Sequence, residues 1–435
     1  MGNGLGVTRN VEKPEIGRWK GEAHAVPQKV DIVLLASGFF PSGFWFLVSG
    51  FSSPECGTLP TMRTEPTAPT NAHLPKFALH VSRRDMVLAV LVVVLSAVAT
   101  FGRAFGLTDV LVFVIAGAAL AILAYGIGVA TDELGATAGP RVSGVLNATF
   151  GNIAELVIAG FALRAGLLEI VRASIAGSVL GNTLLVLGLC MFVGGWRHGV
   201  QRFSRVAASM NGTLLLLAAT GLIAPALLLT TGVGIDSGKE QNLSIVVSLV
   251  LLVVYIASLR FYLTTPEAGG AERSAQAAHW GWASATIILG VLAFITAPVA
   301  DAFVAVLEPT AKTLGLPELF LGLVIVPLVG NIPENLVGLT VAWRGDMDFA
   351  MVIALGSSLQ VALMVGPVLA LLSPLLGHRM TLVFAPVEIV AIAAGALITA
   401  IVAVDGESTW IEGLALVAVY IIFAAAIYVW PMGAI

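Results

Sequence analysis

Two short segments carry the chemistry of this chain: Gly151-Asn152-Ile153-Ala154-Glu155 and, 179 positions later, Gly330-Asn331-Ile332-Pro333-Glu334. Each sets an amide three residues before a carboxylate, a spacing that puts both on one face of a helix. Both lie inside long apolar runs, where an ionised carboxylate costs about 2.5 to 3.5 kcal/mol on insertion scales, so each glutamate is read as functional. No Lys or Arg stands at a similar depth to neutralise them. Each must hold a proton or face a cation. Two Asn-plus-Glu half-sites meeting across an axis make an oxygen cage with two negative charges, which suits a hard divalent cation. Calcium accepts six to eight oxygens in flexible geometry, whereas magnesium keeps its water and demands an octahedron.

Further oxygens follow the first pair. Ser174, Ser178 and Asn182 recur every fourth residue, and Ser357 with Gln360 form the counterpart stripe. These are candidate extra ligands or proton-path groups; hydrogen bonding between membrane helices is the equal alternative. Gly151, Gly330, Pro327 and Pro333 weaken regular helix at the site, and carbonyls so freed are tolerated only where they line a cavity. Glu388 is a third mid-run carboxylate, open between a proton path and a neutral acid bonded to another helix. Six histidines lie in the leading segment or in loops, which excludes a histidine metal site. The chain has two cysteines, Cys56 and Cys190, too few for a disulfide framework or a thiolate cluster. No phosphate-binding loop is present, so no cofactor is expected and drive must come from an ion gradient.

The elements that must position these groups are membrane helices. Of 435 residues, 58% are hydrophobic and 11% charged, and the mean hydropathy is +0.96; a soluble domain averages about 25% charged. The net charge of −4 has no basic run behind it, which excludes nucleic acid as a partner. The partner is the lipid bilayer. Apolar runs at 86–102, 108–130, 141–163, 168–193, 206–230, 241–262, 280–304, 316–342, 348–373, 380–403 and 410–430 predict an all-α polytopic protein of about eleven transmembrane helices. The shift of 179 also carries Gly177-Ser178 onto Gly356-Ser357 and Leu180 and Leu184 onto Leu359 and Leu363. One N-terminal helix and two five-helix repeats are implied. Five is odd, so the repeats are inverted, as in secondary transporters whose site lies between repeats near the midplane.

The expected organisation is an N-terminal extension over 1–80, disordered or wrongly included, then a first helix within 81–105. A first repeat over 106–262, a connecting loop over 263–279 and a second repeat over 280–435 follow. Leu34–Phe51 is a weaker candidate for an extra span because Gly38, Pro41, Gly43 and Gly50 interrupt it, and a translation start at Met62 is the plainer account of the leader. Lys and Arg in alternate loops place the leading segment on the cytoplasmic side.

With these residues stand Leu146-Asn147-Ala148-Thr149-Phe150, Ala176-Gly177-Ser178-Val179-Leu180-Gly181-Asn182, Gly356-Ser357-Ser358-Leu359-Gln360-Val361-Ala362-Leu363, and Asp405-Gly406-Glu407-Ser408 leading to Trp410-Ile411-Glu412-Gly413. From about Thr131 to Trp430 this ordered set resembles the calcium/proton antiporters of the cation/calcium exchanger superfamily. The resemblance implies a secondary antiporter, not an enzyme, with calcium and protons as substrates, in a bacterial cell (inner) membrane. It assigns Glu155 and Glu334 to alternate binding of calcium and protons, and Asn152 and Asn331 to partner ligands. Members commonly carry Ala where Pro333 stands and His where Asn335 stands, so the second half-site here is shaped differently and lacks a titratable neighbour. A sodium/proton or manganese/proton exchanger on the same scaffold, and a passive cation channel, are the alternatives.

Overall fold

The computed structural model describes residues 77–79, 81–138, 146–147, 149–230, 237–264 and 279–429. The expectations for Leu34–Phe51, Cys56, Met62 and most of 1–80 and 263–279 fall outside the described residues. The helices are α1 (Arg83–Phe101), α2 (Asp109–Ala138), α3 (Ile153–Arg164), α4 (Leu168–His198), α5 (Arg205–Thr230), α6 (Ser237–Thr264), α7 (Trp282–Leu314), α8 (Glu318–Gly330), α9 (Ile332–Trp343), α10 (Met347–Leu376), α11 (Pro386–Val402) and α12 (Trp410–Val429). A two-residue antiparallel ribbon, β1 (Gln201–Arg202) with β2 (Glu407–Ser408), joins two loops.

This is an all-helical polytopic membrane protein. Among the described residues eight helices are long and apolar enough to cross a bilayer, and α8 with α9 form a further span bent by 61°. Large apolar side chains stay exposed along the outer helices, as at Val93, Val253, Phe294 and Ile422. In water such a surface would be untenable; against acyl chains it is the matching solvent. The 18-residue apolar stretch of α4 is 78% buried, that of α1 only 17%. α4 is therefore the core of the bundle and α1 its periphery. Ser82 starts α1 with a reciprocal cap, its hydroxyl accepting from Asp85 N while Asp85 accepts from Ser82 N.

The internal repeat reaches the helix boundaries. A shift of 179 carries Ile153–Arg164 onto Ile332–Trp343, each 12 residues long and each preceded by Asn. Contacts between the halves also come in exchanged pairs: α3 packs on α7 as α9 packs on α2, and α12 packs on Leu187–His198 as α6 packs on Gly366–Leu372. Partners that swap in this way are the mark of a pseudo-twofold relation.

Two expectations need correction. The runs at 141–163 and 316–342 are not single straight helices. Asn152 (φ −103°, ψ 28°) and Asn331 (φ −92°, ψ 12°) occupy the bridge region and break them. In the second half the cause is local: Pro327 and Pro333 lack N–H donors, and Gly330 has the least to lose by leaving the helix. The run at 380–403 is helical only from Pro386, because residues 379–385 are non-helical and buried at Met380, Leu382 and Phe384. Hydroxyls replace the missing ladder there: Met380 N donates to Ser373 Oγ at 3.0 Å and Leu382 N to Ser244 Oγ at 3.0 Å.

Candidate functional site

The breaks at Asn152 and Asn331 start two short helices, and the glutamates stand in the first turn of each. A helix N-terminus presents free N–H groups and a partial positive charge, so a carboxylate is better tolerated in that turn than mid-helix. Glu155 is buried and Glu334 half-buried, and their carboxylates lie within electrostatic reach of each other. The two half-sites meet directly at Gly330, where a β-carbon would lie 3.1 Å from Glu155 Cγ and 3.5 Å from its Oε1. The break in one half is packed against the carboxylate of the other.

A second layer comes from α4 and α10, whose helices loosen at matching places. Gly181–Val186 and Val361–Val365 are π-helical turns, and the shift of 179 overlays them. Such turns are frequent at functional sites because they re-aim side chains without ending the helix. Here they adjoin Asn182 and Gln360. Asn152 donates through Nδ2 to Gln360 Oε1; Ser357 Oγ donates to Asn152 Oδ1 at 3.5 Å; Asn182 Nδ2 donates to Ser357 Oγ at 2.9 Å. Asn152, Asn182, Ser357 and Gln360 are thus one network drawn from both halves. Ser178 is buried beside it, whereas Ser174 is tied to its own helix through Val171 O at 2.9 Å.

What the network leaves over is a set of oxygens. Among the described residues, both carboxylate oxygens of Glu155, Oε2 of Glu334 and the amide oxygens of Asn182, Asn331 and Asn335 are buried without a hydrogen-bond partner. Buried acceptors without partners are costly, about 1 to 3 kcal/mol each and more when charged. Each such oxygen calls for a proton donor or a cation. Asn335, one turn beyond Asn331, lines a small crevice with Asn182, Asn331, Pro327 and Tyr420. Tyr420 escapes the sequence reading, because an isolated tyrosine in the apolar run of α12 has no spacing that marks it.

Glu388 stands apart. It lies in the first turn of α11 rather than mid-helix, where its Oε2 accepts from Ala385 N at 2.7 Å, and its charged surroundings are Arg172 and Glu169 of α4. The structure assigns it a capping bond at the entry to α11 and no hydrogen bond to the Asn–Ser–Gln network.

Comparison with known proteins bears on this arrangement. The sodium/calcium exchanger protein family matches residues 108–264 and 284–429. A Ca(2+)/H(+) antiporter of Synechocystis sp. is 37% identical over 351 residues, 75% of this chain and 93% of the relative. The Ca(2+)/H(+) antiporter ChaA of Bacillus subtilis is 38% identical over 315 residues, 71% of this chain and 89% of the relative. The solved structure of native YfkE is 34% identical with a TM-score of 0.68, covering 78% of this chain and 99% of YfkE. The crystal structure of the H+/Ca2+ exchanger CAX, at 18% identity and a TM-score of 0.62, shares the fold over 80% of this chain and 93% of its own.

Proposed function

The chain belongs to the sodium/calcium exchanger protein family, and from that premise we propose that it is a secondary antiporter exchanging calcium for protons, with Glu155 and Glu334 as the shared site. The relatives named as Ca(2+)/H(+) antiporters support the pair of substrates. One observation carries the site: two repeat-related glutamates start two broken helices, and three of their four carboxylate oxygens are buried without a partner. Calcium loads between them by replacing protons. Both charges cannot stand together in a low-dielectric space without a counter-ion, so calcium and protons exclude one another. Asn152 and Asn331 add neutral oxygens; Ser357 and Gln360 hold the Asn152 amide, Asn182 extends that network through Ser357, and Ser178, one turn before Asn182, is a further candidate oxygen.

Alternating access follows from the repeats lying in opposite orientations, each presenting the site to one face in turn. A bacterial cell membrane is the expected location, in keeping with the Synechocystis and Bacillus relatives. The test is calcium-45 uptake into proteoliposomes. An imposed pH gradient should drive uptake and an imposed sodium gradient should not; uptake with neither gradient would mark a channel, and uptake with sodium alone a sodium exchanger.

A further inference from the structure

Each glutamate-bearing helix ends in a tight turn closed by a glycine at positive φ: Gly166 (φ 83°) after α3 and Gly345 (φ 86°) after α9, again 179 residues apart. Over each turn lies an imidazole from the other half. A β-carbon on Gly345 would lie 3.4 Å from the ring of His198, and one on Gly166 would lie 3.2 Å from the ring of His378. His198 Nε2 also bonds the Trp343 carbonyl, at the end of α9, at 3.0 Å. A carbonyl only accepts, so Nε2 carries the hydrogen and Nδ1 remains to take a second proton.

The two contacts lie at opposite ends of one helix. α4 begins at Leu168, directly after the turn that His378 covers, and ends at His198; its 31 residues span about 45 Å at about 1.5 Å per residue. His198 and His378 therefore face opposite sides of the membrane, and both are exposed. We propose that they are positioning residues, one per face, that tie the closing turn of each glutamate-bearing helix to the proton concentration on that face. This rests on the proton-coupled reading above.

The physical step is small and directional. A positive charge is favoured at a helix C-terminus, and a hydrogen bond from a charged donor is stronger than one from a neutral donor. Imidazole is the side chain whose charge changes between about pH 5 and 8. An acidic face then fastens the end of its helix, while an alkaline face leaves it loose. Beside the His198 contact the charged residues are Arg197, stacked 4.4 Å from the centre of the Trp343 ring, and Arg344 and Asp346, which flank Gly345 in the covered turn. Beside the His378 contact they are Arg379, next in sequence to His378, and Arg164 and Glu169, which flank the Gly166 turn at the end of α3 and the start of α4.

Hydrogen exchange of the full-length protein, corrected for intrinsic rates, tests this without relying on transport. In wild type, residues 341–346 and 163–168 should each be about threefold more protected at pH 5.5 than at pH 7.5, the size a helix-end charge contributes. His198→Gln keeps a donor for Trp343 but cannot titrate, so it should abolish the difference at 341–346 alone. His378→Gln should abolish it at 163–168 alone. Wild-type pH differences surviving in both variants would overturn the proposal. In proteoliposomes each variant should flatten the pH response from one face only, with the maximal rate within about twofold; flattening from both faces alike would also overturn it. A wild type that carries no proton-driven calcium would refute the antiporter reading, and the exchange measurement would still decide the role of the histidines.

Discussion

Gly177 lies where α4 crosses the π-turn Leu321–Ile325 at the start of α8. A β-carbon there would lie 2.0 Å from the Leu323 carbonyl oxygen and 2.7 Å from Pro327 Cγ. Ordinary carbon–oxygen contact needs roughly 3.3 Å, so Gly177→Ala must push α4 and α8 apart by about 1.3 Å. The obstacle is backbone and cannot rotate away. Overpacking of this kind costs about 1 to 3 kcal/mol, against which alanine returns up to about 1 kcal/mol of helix propensity. The displaced segment continues through Pro327 and Gly330 into Asn331 and Glu334, so the strain is delivered to the site. Gly177→Ala should lower the thermal midpoint in detergent by several degrees and reduce proton-driven calcium flux more than about tenfold, since a misplacement of about 1 Å costs about a hundredfold in comparable sites. Gly290→Ala, at an exposed position inside α7 with nothing among the described residues within 4 Å of the added carbon, is the matched control: it gains the same helix propensity without the clash, so it should leave flux unchanged and the midpoint unchanged or slightly raised. A Gly177→Ala protein as stable and active as that control would refute the packing argument.

Three further outcomes are expected. Ser357→Ala removes the hydroxyl that links Asn182 to Asn152 and leaves the Asn182 amide buried without an acceptor, which should cost about 1 to 3 kcal/mol of stability and weaken calcium binding in the purified protein by isothermal titration. Glu388→Gln keeps an oxygen to accept from Ala385 N, so flux within about twofold of wild type is expected, whereas Glu388→Ala should lose about 1 kcal/mol of cap; abolished flux in the Gln variant would restore Glu388 to the proton path. Apparent calcium affinity should fall as pH is lowered from about 8 to 5, because a protonated carboxylate has lost the charge that binds the cation and unperturbed Glu, at about 4.3, would stay ionised throughout; a flat profile would separate the proton route from the calcium site.

The pairing of Glu155 with Glu334, the proposed site, was legible because chemistry and repetition coincide: carboxylates in apolar runs, duplicated at a fixed shift that also marks the ends of α3 and α9. The breaks were half legible. Pro327, Gly330 and Pro333 announce a disrupted helix, but hydropathy passes through Asn152 and Asn331 unchanged, so the glutamates read as mid-span rather than first-turn. Glu388 was misplaced for a different reason. The extended stretch before α11 depends on the hydroxyl of Ser373, seven residues before Met380, and on that of Ser244, 138 residues from Leu382, and no local pattern reports the second bond. The exchange of histidines between the two turns was hidden likewise, since neither His198 nor His378 has a motif around it.

The central claim is that Glu155 and Glu334 form one site for calcium and protons. Proton-driven calcium-45 uptake by Glu155→Gln and Glu334→Gln, each shown to be inserted at wild-type levels, tests it most directly, because Gln keeps the shape and loses the charge. Both variants should fall to the background of empty liposomes. Uptake within about twofold of wild type in either one would contradict the shared site.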